Sequence, residues 1–143
     1  MLALRIILVT IAAAGLVVNA VIHLSLAGPY DAITGTVIGQ GDLFRIQAMA
    51  NIALAALLLV GLKYRGWAVI VALAAAAVAA GGLSLVVITA LVPLDLTPLG
   101  LPYLFEPIWF ADKVVSAVAQ GIALVAACVI AALGVRRTGA VQP

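Results

Sequence analysis

Residues 106–120 read EPIWFADKVVSAVAQ, and they begin the last long apolar segment of the chain. Asp112, Ser116 and Gln120 recur at a spacing of four, which places them on one face of an α-helix. The segment that they enter otherwise has the composition of a membrane-spanning helix. Because polar groups in hydrocarbon cost free energy unless they find partners, the sequence predicts that this polar face contacts protein or a wet cavity.

The composition of the whole chain is typical of an integral membrane protein. Of its 143 residues, 67% are hydrophobic and 8% are charged, whereas a soluble domain carries about 25% charged residues. Four apolar segments are long enough to cross a bilayer, and they are predicted at residues 4–27, 43–62, 68–92 and 108–135. The expected fold class is therefore an all-α bundle of four transmembrane helices, which forms a single domain over residues 1–143.

The charged residues are divided unequally between the two ends of these segments. One end carries most of the basic residues, namely Arg5, Lys63, Arg65, Arg136 and Arg137. The other end carries every acidic residue and only two basic ones, namely Asp31, Asp42, Asp95, Glu106, Asp112, Arg45 and Lys113. The positive-inside rule then predicts a multi-pass protein of the cell (plasma) membrane, with both termini in the cytoplasm and both long loops outside.

The strongly polar side chains within the segments also fall in the half near the long loops. Asn19 and His23 are four residues apart in the first segment, and Gln47 and Asn51 are four apart in the second. One interpretation is structural, because such side chains form hydrogen bonds between helices that are worth about 0.6–2 kcal/mol each. Structural hydrogen bonds have no reason to avoid the inner half of the bundle, so the one-sided distribution favours a polar pocket that opens outward.

The leading functional prediction is a binding site for a lipophilic ligand with a polar head, such as a lipid or a quinone-like molecule. The apolar loop at residues 94–105 is expected to cover this site, since a loop in water rarely needs so much apolar surface. The predicted lining residues are Asn19, His23, Arg45, Gln47, Asn51, Asp112, Ser116 and Gln120. Arg45 and also Lys113, at the outer rim, either extend to the lipid headgroups or hold an anionic head of the ligand.

Two other functions are left open by the sequence. The small size and the Ala- and Gly-rich faces fit an accessory subunit of a larger membrane complex, or a homo-oligomer. An intramembrane enzyme is also conceivable, with His23 as general acid or base and Asp112 or Glu106 as the carboxylate that orients it. A single histidine without ligands at a recognised spacing predicts no metal site. No cofactor is identified, and a net charge of +2 without a basic patch gives no indication of nucleic-acid binding.

Smaller features give local predictions. Asp42 and Glu106 each precede a predicted helix and are first interpreted as helix caps, and Pro107 suits the first turn of the last helix. The single cysteine, Cys128, cannot form an intrachain disulfide and is expected to pack as a small buried hydrophobic residue.

Three stretches of the chain resemble small, uncharacterised four-span bacterial membrane proteins. They are an HLxxAxxY-like pattern within Asn19–Tyr30, GDLFRIQA at residues 41–48 and EPIWFADKxxSAVAQG at residues 106–121. The layout is also loosely similar to that of DoxX-like four-helix proteins. The first resemblance implies a four-span fold without a known activity. The second implies redox or quinone-linked membrane complexes and assigns no site residues.

Overall fold

Four long α-helices make up most of the chain. The structure is a computed structural model that describes residues 2–64 and 67–138, with side chains described as far as residue 135. The helices are α1 (Leu2–Ala27), α2 (Gln40–Gly61), α3 (Ala68–Leu91) and α4 (Ala111–Thr138). Each is long and apolar enough to cross a membrane. The predicted all-α fold class with four membrane-spanning helices is confirmed, and the assignment of one domain to residues 1–143 stays a prediction.

The helices pack side by side in a closed ring. Each contacts two neighbours, in the order α1, α2, α3, α4 and back to α1, and the α2–α3 interface is the least extensive of the four. The α1–α2 and α3–α4 loops lie at one end of the bundle, here named the loop end. The α2–α3 turn, the first residues of α1 and the last residues of α4 lie at the other, here named the terminal end. Arg65 and the side chains of Arg136 and Arg137, which contribute to the predicted orientation, lie outside the described residues.

The apolar core lies towards the terminal end and consists largely of alanine. It includes Val9, Ala12, Ala13, Leu16, Ala55, Leu58, Val71, Ala72, Ala75, Ala79, Ala123, Ala127 and Ile130. Small side chains allow helix backbones to approach closely, which is the usual basis of helix packing in lipid. The closest example joins α1 to α4, where a Cβ atom built on Gly15 would lie only 2.8 Å from the carbonyl oxygen of Ala119.

The N-termini of α2 and α4 differ from the predicted ones in the residues that cap them. In α2 the N-cap is Gly39, and Asp42 accepts a hydrogen bond from the Gly39 N–H (3.4 Å) from a position inside the first turn. In α4 the first helical residue is Ala111, and Glu106 belongs to the preceding loop, where its N–H donates to the carbonyl oxygen of Thr89 (2.9 Å). The predicted cap role of Glu106 and the predicted place of Pro107 in the first turn of the helix are therefore wrong, because α4 begins only at Ala111 and the bond to Thr89 holds Glu106 in the loop.

The long α3–α4 loop contains a small β-hairpin that the sequence analysis does not predict. Strands β1 (Leu94–Asp95) and β2 (Tyr103–Leu104) pair antiparallel, and a short 3₁₀-helix (Thr97–Leu99) lies between them. The 3₁₀-helix ends at Gly100, which has a left-handed φ of 79°. The Gly100 carbonyl oxygen accepts hydrogen bonds from the N–H groups of Val37 (2.9 Å) and Ile38 (3.2 Å). These bonds join the two long loops into one layer at the loop end.

Candidate functional site

A cavity of about 240 Å³ lies at the loop end, between α2 and α3. Its lining is mainly apolar, and it includes Leu26, Leu43, Phe44, Ile46, Leu85, Val86, Leu104, Phe105 and Phe110. The polar side chains that line it are His23, Tyr30, Gln40, Gln47, Thr89, Glu106, Lys113 and Ser116. An apolar space with a few convergent polar groups is the usual form of a small-molecule site in proteins.

The cavity faces the side of the bundle that contacts lipid. Two of its lining residues, Ile46 on α2 and Leu85 on α3, are 55% and 48% exposed on the outside of the bundle. At the terminal end the same two helices are in contact, since a Cβ atom built on Gly61 would lie 3.8 Å from the Cα atom of Ala68. The cavity therefore occupies the part of the α2–α3 interface where the helices are separated, and exposed apolar side chains of both helices border it.

A chain of buried hydrogen bonds connects α4 to α1 beside this cavity. Nε2 of Gln120 donates to Oγ of Ser116 (3.1 Å), and that hydroxyl donates to Oδ1 of Asn19 (2.6 Å). All three side chains are at most 2% exposed. Because the Ser116 hydroxyl donates its proton to Asn19, its oxygen can only accept a hydrogen bond from Gln120. The atom of Gln120 that faces Ser116 is therefore the donor Nε2. The Oε1 atom of Gln120 consequently points elsewhere.

Gly82 of α3 is the point where the amides of two other helices converge. A Cβ atom built on Gly82 would overlap Oε1 of Gln120 and lie 2.8 Å from Nε2 of Gln47. The neighbouring Gly81 has no described atom within 4 Å of such a Cβ atom and faces outward. The absence of a side chain at Gly82 therefore provides the space for the amides of Gln47 and Gln120 at the inner end of the cavity.

Several buried polar atoms have no hydrogen-bond partner among the described residues. They are Nδ2 of Asn19, Nε2 of Gln47, Nδ2 and Oδ1 of Asn51, and Oε1 of Gln120. Asn51 lies one helical turn deeper than Gln47 on α2 and is 0% exposed. A buried polar group without a partner costs about 1–3 kcal/mol. Both donors and acceptors occur among these atoms, so the cluster can bind a group that offers both.

His23 contributes one further acceptor to the cavity. Its Nδ1 atom lies 2.9 Å from the carbonyl oxygen of Asn19, and a carbonyl oxygen can only accept, so Nδ1 carries the proton. A neutral imidazole with Nδ1 protonated presents Nε2 as a hydrogen-bond acceptor. The ring is also held edge-on to Phe44, with centroids 5.3 Å apart. In chemical terms, Nε2 can accept a proton or a hydrogen bond from a molecule in the cavity.

Glu106 connects the α3–α4 loop to α3 through Thr89, to α4 and to the α1–α2 loop. Its carboxylate accepts a hydrogen bond from the Tyr30 hydroxyl (3.0 Å), and its carbonyl oxygen accepts one from Nζ of Lys113. Lys113 is 6% exposed, and its ammonium lies 5.1 Å from the centroid of the Trp109 ring. Burial raises the pKa of Tyr30 to about 12, and the hydrogen bond and negative charge of Glu106 act in the same direction. The charged groups beside the cavity thus have partners within the protein.

Six of the predicted site residues turn inward. Asn19, His23, Asn51, Ser116 and Gln120 are buried, and Gln47 is partly buried and lines the cavity. Of the predicted loop cover, residues 94–105, only Leu104 and Phe105 line the cavity. The predicted role of these residues in ligand binding stays a prediction.

Asp112 and Arg45 lie elsewhere. Asp112 is exposed, because residues spaced by four drift by about 40° per step around a helix, and Lys113 is the buried residue of that turn. Arg45 is exposed and pairs with Asp31 (2.8 Å) and Asp42 (3.2 Å). This ion pair lowers the pKa of Asp31.

Two residues of the site were not identified from the sequence as parts of it. Phe44 packs against His23, and Gly82 makes room for the amides. Lys113, which the sequence analysis names as a contact for lipid headgroups or for an anionic ligand head, instead donates to the Glu106 carbonyl oxygen. The Gly-Gly pair at residues 81–82, within a helix, is the signal that could have indicated a close approach.

Comparison with known proteins gives no relative from which a function can be transferred. No protein-family model matches the chain, and neither the curated proteins nor the solved structures contain a significant match. The resemblance to four-span bacterial proteins and the DoxX-like layout therefore stay predictions. The molecule is a multi-pass integral membrane protein whose helices lie in a lipid bilayer.

Proposed function

We propose that this protein binds a lipophilic molecule with a polar head, which enters laterally from the membrane between α2 and α3. The apolar part of the ligand contacts Leu43, Ile46, Leu85 and Val86, and continues into the surrounding lipid. The polar head lies at the inner end, near Gln47 and Ser116. The loop end faces the outside of the cell membrane, in keeping with the positive-inside rule.

The observation that carries this proposal is the cluster of unpartnered buried amides beside an apolar cavity. In a bundle whose polar residues serve only to join helices, their donors and acceptors are expected to be paired with one another. Here five buried atoms are without partners among the described residues. The cavity ends at Gly82, where two of the amides converge. A ligand head at this point satisfies groups that otherwise lower the stability of the fold.

Native mass spectrometry of the protein purified in mild detergent tests this proposal. Wild type is expected to retain a non-protein adduct that collisional activation removes. Gly82→Val fills the inner end of the cavity and displaces the amides, so this variant is expected to lose the adduct. Gly81→Val is the matched control, because it places the same side chain one residue away, on the outer face of the same helix. Equal retention in all three proteins, or no adduct on wild type, contradicts the proposal.

A second candidate function is that of a subunit in a larger membrane assembly. Ala77 and Gly81 lie four residues apart on α3 and are exposed, and small residues at this spacing are typical of helix–helix contacts in membranes. Crosslinking in native membranes, followed by size analysis, tests this candidate. A discrete complex that Gly81→Val disrupts supports it, and a monomer in both proteins contradicts it.

A further inference from the structure

The head group of the ligand is constrained first by charge. Lys113 is already bound to the Glu106 carbonyl oxygen and lies against the Trp109 ring, and the Glu106 carboxylate accepts the Tyr30 hydroxyl. The inner cluster beyond them consists of neutral side chains, namely Asn19, Gln47, Asn51, Ser116 and Gln120. An ionised head has no counter-ion within this cluster, because the Lys113 ammonium is held at the loop by the Glu106 carbonyl oxygen and the Trp109 ring. Burying an unpaired charge is far more costly than burying a neutral polar group.

The head group is constrained next by the direction of its hydrogen bonds. Oε1 of Gln120 is an acceptor without a partner among the described residues, and Nε2 of His23 is an acceptor on the wall of the cavity. Nε2 of Gln47 is an unpartnered donor at the inner end. A hydroxyl group can donate to one of these acceptors and accept from Gln47 at the same time. A carbonyl or ether oxygen can only accept, and it leaves both acceptors unpaired.

The size of the cavity sets the third constraint. A protein cavity of about 150 Å³ can hold a benzene molecule, so a cavity of about 240 Å³ has room for one substituted six-membered ring. Phe44, which contributes to the wall, offers an aromatic surface on which such a ring can pack.

We infer that the ligand carries an uncharged, hydroxyl-bearing head of the size of one six-membered ring, on an apolar tail, and that its hydroxyl binds between Gln47 and Gln120. Nε2 of Gln47 and Oε1 of Gln120 are both covered in the ligand-free structure, so the Gln47 side chain, which lines the cavity, moves aside to admit the hydroxyl. This inference rests on the proposed function and adds the chemistry of the head group. A phospholipid headgroup is disfavoured because it brings a charge into the neutral cluster.

Isothermal titration with three amphiphiles that share one tail tests this inference. The probes are 4-decylphenol, 4-decylanisole and decyl phosphate, each titrated into the full-length protein in the same detergent. In the anisole a methyl group replaces the hydroxyl proton of the phenol, so its oxygen can accept a hydrogen bond but cannot donate one. The phenol is expected to bind about ten-fold more tightly than the anisole, which corresponds to about one hydrogen bond to a buried acceptor. Decyl phosphate is expected to bind more weakly than either.

Gln120→Met removes the unpartnered acceptor while keeping the length of the side chain. It is expected to abolish the preference for phenol over anisole while the anisole still binds. Gln47→Met, at a less buried position, removes the donor instead. Because the phenol and anisole oxygens both accept from Nε2 of Gln47, this variant is expected to weaken the two probes equally and to keep the preference for the phenol, and selective loss of the phenol contradicts the assignment. Equal binding of phenol and anisole to wild type, or tightest binding of the phosphate, overturns the inference and leaves the cavity as a lipid site. Absence of binding for all three probes overturns the proposed function itself.

Discussion

Replacing Asn51 distinguishes a ligand site from a structural polar contact, because the two interpretations predict opposite effects on the stability of the protein. Its side chain is 0% exposed, and neither its nitrogen nor its oxygen has a partner among the described residues. Functional groups are often retained at a cost in stability. We therefore expect Asn51→Leu to stabilise the ligand-free protein by about 1–3 kcal/mol, the cost of a buried unpaired polar group. Unfolding of delipidated protein in detergent measures this difference.

Ser116→Ala provides the comparison at a neighbouring position. Ser116 joins Gln120 to Asn19 through two buried hydrogen bonds, so its replacement is expected to destabilise the protein by about 1 kcal/mol or more. Opposite signs for the two variants are the expected result. If Asn51→Leu destabilises the fold to the same extent as Ser116→Ala, then Asn51 has a structural partner and the amide cluster serves helix packing.

Tyr30 gives a prediction of pH dependence. Burial and the contact with Glu106 raise its pKa to about 12, from about 10 in an unfolded chain. Because the folded-state pKa is raised, the contribution of this contact to stability is complete below pH of about 10 and is lost as the pH rises through about 12. The tyrosinate absorbance of wild type minus that of Tyr30→Phe is expected to titrate near pH 12.

Glu106→Gln separates the causes of that shift. It removes the negative charge and leaves the burial of Tyr30, which is the larger cause, so the pKa of Tyr30 is expected to fall only part of the way towards its ordinary value. A Tyr30 titration near pH 10 in wild type contradicts the hydrogen bond that links the α1–α2 loop to Glu106 in the α3–α4 loop.

At the scale of the helices, the packing of α1 on α4 depends on the absence of a side chain at Gly15. A Cβ atom there would lie 2.8 Å from the Ala119 carbonyl oxygen and 3.1 Å from the Ala123 Cβ atom. The carbonyl oxygen belongs to the backbone of α4 and cannot rotate away. Gly15→Ala is therefore expected to destabilise the bundle by about 1–3 kcal/mol, as overpacking typically does, when unfolding is followed by circular dichroism in detergent.

Gly121→Ala is the matched control on α4. No described atom lies within 4 Å of a Cβ atom built on Gly121, and alanine is favoured over glycine within a helix by about 0.8–1 kcal/mol. This variant is expected to be at least as stable as wild type. Equal stability of the two alanine variants would show that α1 and α4 are farther apart than the structure places them.

At the scale of the whole molecule, the testable property is its orientation in the membrane. Thr36 lies in the α1–α2 loop and Lys63 in the α2–α3 turn, and both are exposed. In a Cys128→Ala background, the positive-inside rule predicts that Thr36→Cys reacts with a membrane-impermeant maleimide in intact cells. Lys63→Cys is expected to react only after permeabilisation. The reverse pattern would place the cavity on the cytoplasmic side of the membrane.

The overall architecture was predictable from the sequence because apolar length alone determines membrane spans. The predicted segments begin and end within three residues of α1–α4. Helix ends fray, so a difference of one or two residues carries no weight. The inward-facing polar positions also followed from spacing. Asn19 and Asn51 were assigned to polar faces by their four-residue separation from another polar residue, and both are buried. Their role as ligand contacts stays a prediction.

The remaining features depend on contacts between segments that are distant in sequence. Gly82 is informative only once Gln47 and Gln120 from two other helices are placed beside it. The hairpin of the α3–α4 loop depends on its contact with the α1–α2 loop through Gly100. Cys128, which was expected to be buried, is exposed, because an apolar sequence in a membrane helix does not distinguish the faces that contact protein from those that contact lipid.

A crystal structure of the protein grown from a lipidic mesophase tests most directly whether the amide cluster is a ligand site. The expected result is non-protein density in the cavity between α2 and α3, with its polar end within hydrogen-bonding distance of Gln47 and Gln120. The contradicting result is a structure in which these amides pair with each other and with Asn51, and in which α2 and α3 close over the cavity with no density between them.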